Sequence, residues 1–295
     1  MSEQMDGFLN LNKPKGITSF TAVEEVRKRL KEKKAGHAGN LDPDATGVLV
    51  IGLGKATRFL PYITDVEKEY MATIKLGVLT DTLDASGEVM DTKEVPPIDR
   101  AKLEEVLHHF TGEIEQTPPA YSAVKIEGKR LYELAREGVL VNPKPKKVTV
   151  YEIELLDVGE DEFRIRAVVS KGTYIRSLAR DIAARLGTYG IVKDLVRTRI
   201  GHFTLGEAVD LDDPDLGKKV IPPDKGLLHM GEVVLKEKAA WYFRNGNRVG
   251  VSGILSRSRN VRSFEYVRVY DESGDFIGVG FMKWDGLYPK RVIPA

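Results

Sequence analysis

The chain of 295 residues contains no cysteine. That excludes disulfides, thiolate metal sites, iron–sulfur clusters and cysteine nucleophiles. No run approaches the roughly 18 uninterrupted apolar residues of a membrane span. There is no G-x-x-x-x-G-K-[ST] phosphate loop; Gly52-Leu53-Gly54-Lys55-Ala56-Thr57 lacks the first glycine. There is no G-x-S-x-G nucleophile elbow. Histidine is scarce: His37, His108, His109, His202 and His229. None has a partner at helical zinc spacing, and adjacent His108 and His109 diverge on a helix. A strong excess of either charge is also missing, with Lys+Arg 45 against Asp+Glu 44. Hydride transfer, NTP hydrolysis, zinc hydrolysis and the common serine triads therefore lose ground, and neither a cofactor nor a metal is expected.

What is present is a composition of 42% hydrophobic and 30% charged residues, which places the chain among globular proteins. Its length allows one large domain or two smaller ones. The polar, acidic start from Met1 to Asp6 predicts neither a signal nor a transit peptide, and a cytoplasmic protein. Charge is unevenly spread. Basic residues gather at Arg27 to Lys34, at Lys144, Lys146 and Lys147, and from Lys171 through Arg199. Each run alone reads as a solvated helix face; three together point to a polyanionic partner.

The periodicity mixes types. Phe8 to Leu11 predicts a strand stopped by Lys13-Pro14-Lys15-Gly16. Thr18 or Ser19 caps a helix through Leu30, with Val23, Val26 and Leu30 on one face. Val48 to Ile51 is a short buried run, and Lys68 to Leu76 alternates as a strand. A helix follows Asp99, and strands are predicted at Val148 to Leu156 and Phe163 to Ser170. Ile175 to Leu186 has a helical apolar face. Strands and helices do not alternate as βαβα, so the fold class is α+β with a mixed, mainly antiparallel sheet. Beyond about Leu227, recurrent glycines and a strand–turn–strand at Tyr266 to Gly280 predict a small β domain. The Asp/Pro/Lys-rich segment Asp210 to Asp224 reads as the linker.

Chemistry concentrates in Gly36-His37-Ala38-Gly39-Asn40-Leu41-Asp42-Pro43-Asp44-Ala45-Thr46-Gly47. Glycines permit close approach, and Pro43 pushes Asp42 towards extended backbone. Taken alone, the segment reads first as an ordinary Asp-Pro-Asp surface turn, and second as a rigid loop presenting a carboxylate. Lys171-Gly172-Thr173-Tyr174-Ile175-Arg176 sets a tyrosine and an arginine at a helix start. Glu69-Tyr70 opens a strand, and Gln116 to Lys125 is a stiff, aromatic, basic loop. Together they suggest a base stacked on a ring beside a carboxylate held by a guanidinium.

In this order these segments resemble the tRNA pseudouridine-55 synthases of the TruB family, bacterial type. The similarity runs through Leu11-Asn12-Lys13-Pro14-x-Gly16-x-Thr18-Ser19, the Gly36 to Gly47 loop, Gly52-x-Gly54-x-Ala56-Thr57-Arg58 and Glu69-Tyr70. It continues through Leu76-Gly77-x-x-Thr80-Asp81-Thr82-x-Asp84, Pro118-Pro119-x-Tyr121-Ser122-Ala123-x-Lys125, Lys171 to Arg176 and Arg197-Thr198-x-x-Gly201. The family usually has Thr at Asn40 and often Gly at Ala38, and Asp44 replaces an apolar residue. The resemblance implies a pseudouridine synthase catalytic domain over 1–227, an RNA-binding thumb at about 115–147, and a barrel-like PUA domain over 228–295. It implies that Asp42 is the catalytic aspartate, Arg176 its partner and Tyr70 the ring that stacks on the target base. His37, Tyr174, Leu195, Lys13 and Lys171 are placed among the substrate-binding residues. The implied reaction is isomerisation of uridine 55 in the T-loop of tRNA by base flipping and an aspartate nucleophile. The implied partner is the T-arm stem-loop; no cofactor, metal, or membrane is implied, and the protein is expected as a monomer. Two alternatives stand beside this: a guide-RNA-dependent rRNA pseudouridine synthase of archaeal and eukaryotic type, and an RNA-folding chaperone whose binding matters more than turnover.

Overall fold

The computed structural model describes residues 5–293 apart from 123, 127, 140 and 142. Ala123 of the loop motif thus lies outside the described residues. Ten strands build the central sheet: β1 (Gly7–Lys13), β2 (Ala35–His37), β3 (Thr46–Leu53), β4 (Lys68–Leu76), β5 (Gly112–Gln116), β6 (Lys146–Val158), β7 (Glu162–Val169), β8 (Gly190–Ile200), β9 (Phe203–Thr204) and β10 (Val209–Asp210). Their order is β10-β1-β3-β8-β4-β7-β6-β5, with β2 beside β3 and β9 beside β8. The β1–β10 and β3–β8 pairs are parallel; the others are antiparallel, as expected. Helices are α1 (Ser19–Arg29), α2 (Leu60–Thr64), α3 (Arg100–His108), α4 (Leu131–Arg136), α5 (Ile175–Arg185) and α6 (Glu237–Arg244).

Sequence patterns account for the layers. In α5, Ile175, Leu178, Ala179, Ile182 and Ala183 recur on one face and bury against Ala72, Ile74 and Leu76 of β4 and Ile165 and Ala167 of β7. Each fully buried Leu or Ile contributes about 1.5–3 kcal/mol. Helix α1 begins where Thr18 accepts a hydrogen bond from the Thr21 amide at 3.0 Å, a standard cap. It covers Leu9 and Leu11 of β1 and Leu49 and Ile51 of β3. Their alternate neighbours, Phe8, Val48 and Val50, belong to a core on the opposite face. With both faces covered, β3 is apolar without alternation, which explains the continuous run Val48 to Ile51.

The second sheet contains β11 (Gly231–Leu235), β12 (Val249–Gly250), β13 (Ile254–Arg257), β14 (Glu265–Tyr270), β15 (Phe276–Lys283) and β16 (Gly286–Val292). It runs β12-β16-β15-β14-β11-β13 in a barrel-like arrangement and carries α6. The two parts pack closely. Phe59 meets Phe276 at 5.5 Å between ring centroids and Tyr62 meets Tyr266 at 5.0 Å. Arg58 donates to the Val292 carbonyl. The segment read as a linker is tied down: β10 extends the β1 edge and Ile221 bridges Phe8. No helix among the described residues is long and apolar enough to cross a membrane.

Candidate active site

The loop between β2 and β3 carries Asp42 and is braced from several sides. Arg197 of β8 lies fully buried beneath it. Its Nε donates to the Val48 carbonyl at 2.8 Å, Nη1 to Asn40 at 3.1 Å and Nη2 to Gly39 at 3.1 Å. Ser19 Oγ accepts from the Leu41 amide at 2.8 Å and donates to its carbonyl at 3.0 Å. Lys13 Nζ donates to Pro14 at 2.8 Å, Ile17 at 2.8 Å and Pro43 at 3.1 Å. Gly47 has φ +102 and sits against Arg197, where a side chain would collide with the Arg197 carbonyl. A plain surface turn has no such scaffold.

Arg176 enters from the first turn of α5. Its Nε lies 2.9 Å from Asp42 Oδ2, and its Nη1 lies 3.4 Å from Asp84 Oδ2. Nη1 also donates to the Thr82 carbonyl at 2.8 Å and Nη2 to the Tyr121 carbonyl at 2.9 Å. The guanidinium fork is therefore used on every side, a geometry lysine cannot reproduce. Gln116 fixes the entry to α5 by accepting from the Tyr174 amide at 2.8 Å and donating to its carbonyl at 3.1 Å.

Around this pair opens a cavity of about 330 Å³, at the small end of the range that holds small organic ligands. Asp42, Asp44, Asp84, Arg176, Leu195 and Lys193 are among its lining residues. Charge balance in it departs from expectation. Arg176 alone would depress the Asp42 carboxyl, but burial outweighs it and pushes the pKa above the ordinary value, with Asp84 adding repulsion.

Of the eight residues singled out from sequence, Asp42, Arg176 and Leu195 line the cavity. Tyr70 lies on β4 opposite Arg197 and packs, half-buried, against the core under α5. Tyr174 caps α5, and burial raises its hydroxyl pKa while Arg176 and Asp42 act on it in opposite senses. His37 ends β2, and burial with nearby Arg197 lowers its pKa, which favours the neutral ring. Lys171 is exposed and pairs with Asp65 at 2.8 Å. Lys13 is 0% exposed, and its ammonium is spent on the carbonyls that anchor the loop. Burial lowers its pKa to about 8.

Asp84 received no role from sequence. Its Oδ1 accepts from Thr82 Oγ1 at 2.7 Å and Ser86 Oγ at 2.6 Å, which leaves Oδ2 facing Arg176. The Thr-x-Asp-x-Ser spacing, a local side-chain turn, was the available signal.

A profile of the "TruB family pseudouridylate synthase (N terminal domain)" matches residues 27–175, and one of "Pseudouridine synthase II TruB, C-terminal" matches residues 231–293. The chain belongs to the TruB family. Similar curated proteins include a "tRNA pseudouridine synthase B" of Aquifex aeolicus, 43% identical over 98% of this chain and 100% of that one. Another of that name, from Clostridium kluyveri, is 41% identical over 95% and 96%. Among solved structures, the chain in a "Cbf5-Nop10-Gar1 Complex" superposes with a TM-score of 0.78 at 28% identity, covering 98% of this chain and 85% of that one. One in an "H/ACA RNP bound to a substrate RNA containing 2'-deoxyuridine" gives 0.76 at 25% identity over 97% and 84%. The protein is thus a pseudouridine synthase, an isomerase, and its α+β architecture with a barrel-like C-terminal sheet is the family fold.

Proposed function

We propose that this TruB-family protein converts uridine 55 in the T-loop of tRNA to pseudouridine, without a guide RNA and as a monomer. The observation that carries the reading is Asp42 held 2.9 Å from the buried Arg176 in a cavity sized for a flipped nucleoside. In the reaction the bond from C1′ to N1 breaks and one from C1′ to C5 forms. The proton on C5 leaves and N1 ends protonated. Nothing is oxidised and no energy donor is consumed. Reaching the base costs a few kcal/mol of unstacking, which aromatic stacking of about 1–3 kcal/mol offsets. Tyr70 is the proposed platform, with Leu195 packing the pocket, His37 wedging the displaced loop and Tyr174 bordering the site. Asp42 acts ionised as nucleophile, and Arg176 keeps the ionised form accessible despite burial.

Identity favours this reading over the guide-dependent alternative. Relatives named tRNA pseudouridine synthase B share 41–43% identity, against 25–28% for chains in the guide-type assemblies. A folding chaperone would need no carboxylate–guanidinium pair in a cavity. We place the catalytic domain at 1–227, the thumb at about 115–147 and the PUA domain at 228–295. Purified protein with a T-arm stem-loop transcript should form pseudouridine unaided. Product only after adding guide RNA and accessory proteins would transfer the case to the alternative.

The thumb's basic knot should contribute electrostatically. Lys147 pairs with Glu113 at 2.8 Å on the surface, while Lys144 and Lys146 are exposed. Neutralising all three should lower the log–log salt slope of RNA binding by about 0.7–0.9 per lost phosphate contact. An unchanged slope would make them ordinary surface lysines.

A further inference from the structure

A nucleotide that enters the cavity of Asp42 brings phosphates to its mouth, and those charges need a cation. The charged lining of the cavity is three acids, Asp42, Asp44 and Asp84, and three bases, Lys15, Arg176 and Lys193. Two of the bases are already engaged. Arg176 is buried and faces Asp42, Asp84 and the carbonyls of Thr82 and Tyr121. Lys193 donates to Glu162 at 2.7 Å. Lys15 differs from both. Its side chain is 60% exposed, and its partner among the described residues is Asp194 at 3.8 Å, beyond hydrogen-bond reach.

The backbone of Lys15 is fixed although its ammonium is not. The turn between β1 and α1 is tied to the loop of Asp42 by the Gly16 amide, which donates to the Pro43 carbonyl at 2.9 Å. Lys13 holds the carbonyls of Pro14 and Ile17 on either side. Lys15 thus rides on the same frame as Asp42, and its freedom lies in a flexible four-carbon stem. Asp194 comes from β8, directly before the cavity residue Leu195. The β8–β4 register slips between Val192 and Asp194, a bulge of the kind that re-aims side chains beside a site. The pair therefore links the two segments of the chain that bring Lys15 and Leu195 to the cavity. The Asp194 side chain is itself 56% exposed, and an exposed pair contributes little to stability. Breaking it costs the fold little, and a phosphate offers the ammonium an equivalent charge.

We propose that Lys15 is a substrate-binding residue: in the free protein it rests on Asp194, and when RNA binds it exchanges that carboxylate for a phosphate flanking the flipped uridine. The proposal rests on the reading above that the cavity of Asp42 takes a flipped nucleoside. Asp194 is then a placeholder. It keeps the ammonium at the cavity without a hydrogen bond, and it competes with the RNA for that charge. Because Lys15 and Asp42 share one frame, a phosphate held by Lys15 fixes the ribose at a set distance from the nucleophile.

The test uses the full chain and a T-arm stem-loop, with binding read by fluorescence anisotropy. The RNA is made in three forms: all-phosphate, and with a neutral methylphosphonate on the 5′ or the 3′ side of the target uridine. Lys15→Gln should weaken binding of the all-phosphate RNA about fivefold, and Lys15→Arg should bring it back to within about twofold of wild type. The Lys15→Gln loss should shrink to less than about 1.5-fold on one of the two methylphosphonate RNAs and persist on the other, as coupling between the lysine and one phosphate requires. Asp194→Asn should tighten binding about threefold where Lys15 is present and leave it unchanged in the Lys15→Gln background. All these variants should melt as the wild type, because the pair is exposed. An equal Lys15→Gln loss on all three RNAs would overturn the proposal, as would wild-type affinity of Lys15→Gln. The same gain from Asp194→Asn in both backgrounds would overturn it too, since Asp194 would then act on the RNA as surface charge and not through Lys15. Absence of pseudouridine from the all-phosphate RNA after incubation with the wild type would instead sink the functional reading, since anisotropy needs no turnover.

Discussion

Asp42→Asn should abolish pseudouridine formation, by at least on the order of 10³-fold, while changing RNA affinity by less than about threefold. Asparagine matches aspartate in shape but cannot act as the nucleophile. The loop will not move to compensate, because its braces use backbone atoms. Arg197 holds the Gly39 and Asn40 carbonyls, Ser19 the Leu41 peptide and Lys13 the Pro43 carbonyl. Asp44→Asn should stay within a few-fold of wild type, because Asp44 is exposed at the rim and has no ion pair among the described residues. The same chemistry fixes a pH dependence. Burial raises the Asp42 pKa, and the working form is ionised. The acid limb of kcat/KM should therefore fall as pH drops through a value above the ordinary aspartate range. Mass-spectrometric quantification of pseudouridine across a pH series checks both points. A dead Asp44→Asn beside an active Asp42→Asn would reverse the assignment within the loop.

How far the sequence foretold this depends on where each charge ends up. Helices α1 and α5 and strand β4 were legible because one face of each is apolar at its own period and the other is not. Strand β8 was not foreseen. It runs Lys193, Asp194, Arg197 and Arg199 through a central position, so its charges hide a strand that pairs with both β3 and β4. Helix α6 was missed for a related reason: Trp241 is 62% exposed and Tyr242 is 42% exposed, which blurs its apolar face. At the site, Asp42 and Arg176 came from ordered motifs, and their pairing at 2.9 Å fits that reading. Burial at Asp42, the second carboxylate at Asp84 and the anchoring of Lys13 are properties of packing. No spacing rule reports them. Counting charges cannot separate Arg199, paired with Glu67, from Arg259, which faces solvent.

Arg197 is where this hidden use of charge should matter most for stability. Its side chain is 1% exposed and its guanidinium satisfies three backbone carbonyls, Val48 on β3 and Gly39 and Asn40 in the loop that carries Asp42. Arg197→Met keeps much of the apolar stem but strands those acceptors away from water. Each buried unsatisfied group costs about 1–3 kcal/mol, so partial relaxation leaves a loss of roughly 3–5 kcal/mol. At about 2–4 °C per kcal/mol for a protein of this size class, Tm should fall by roughly 10 °C. Arg197→Lys should recover only part of it, because one ammonium on a flexible stem cannot match a planar fork reaching three carbonyls. Catalysis should suffer beyond the folded fraction lost. With Gly39 and Asn40 released, the Asp42 carboxylate is no longer held against Arg176, so kcat should drop while KM changes less. Thermal melts and single-turnover rates at a temperature where both variants remain folded separate the two effects. A melt within 2 °C of wild type, with wild-type kcat, would show that the loop stands without Arg197.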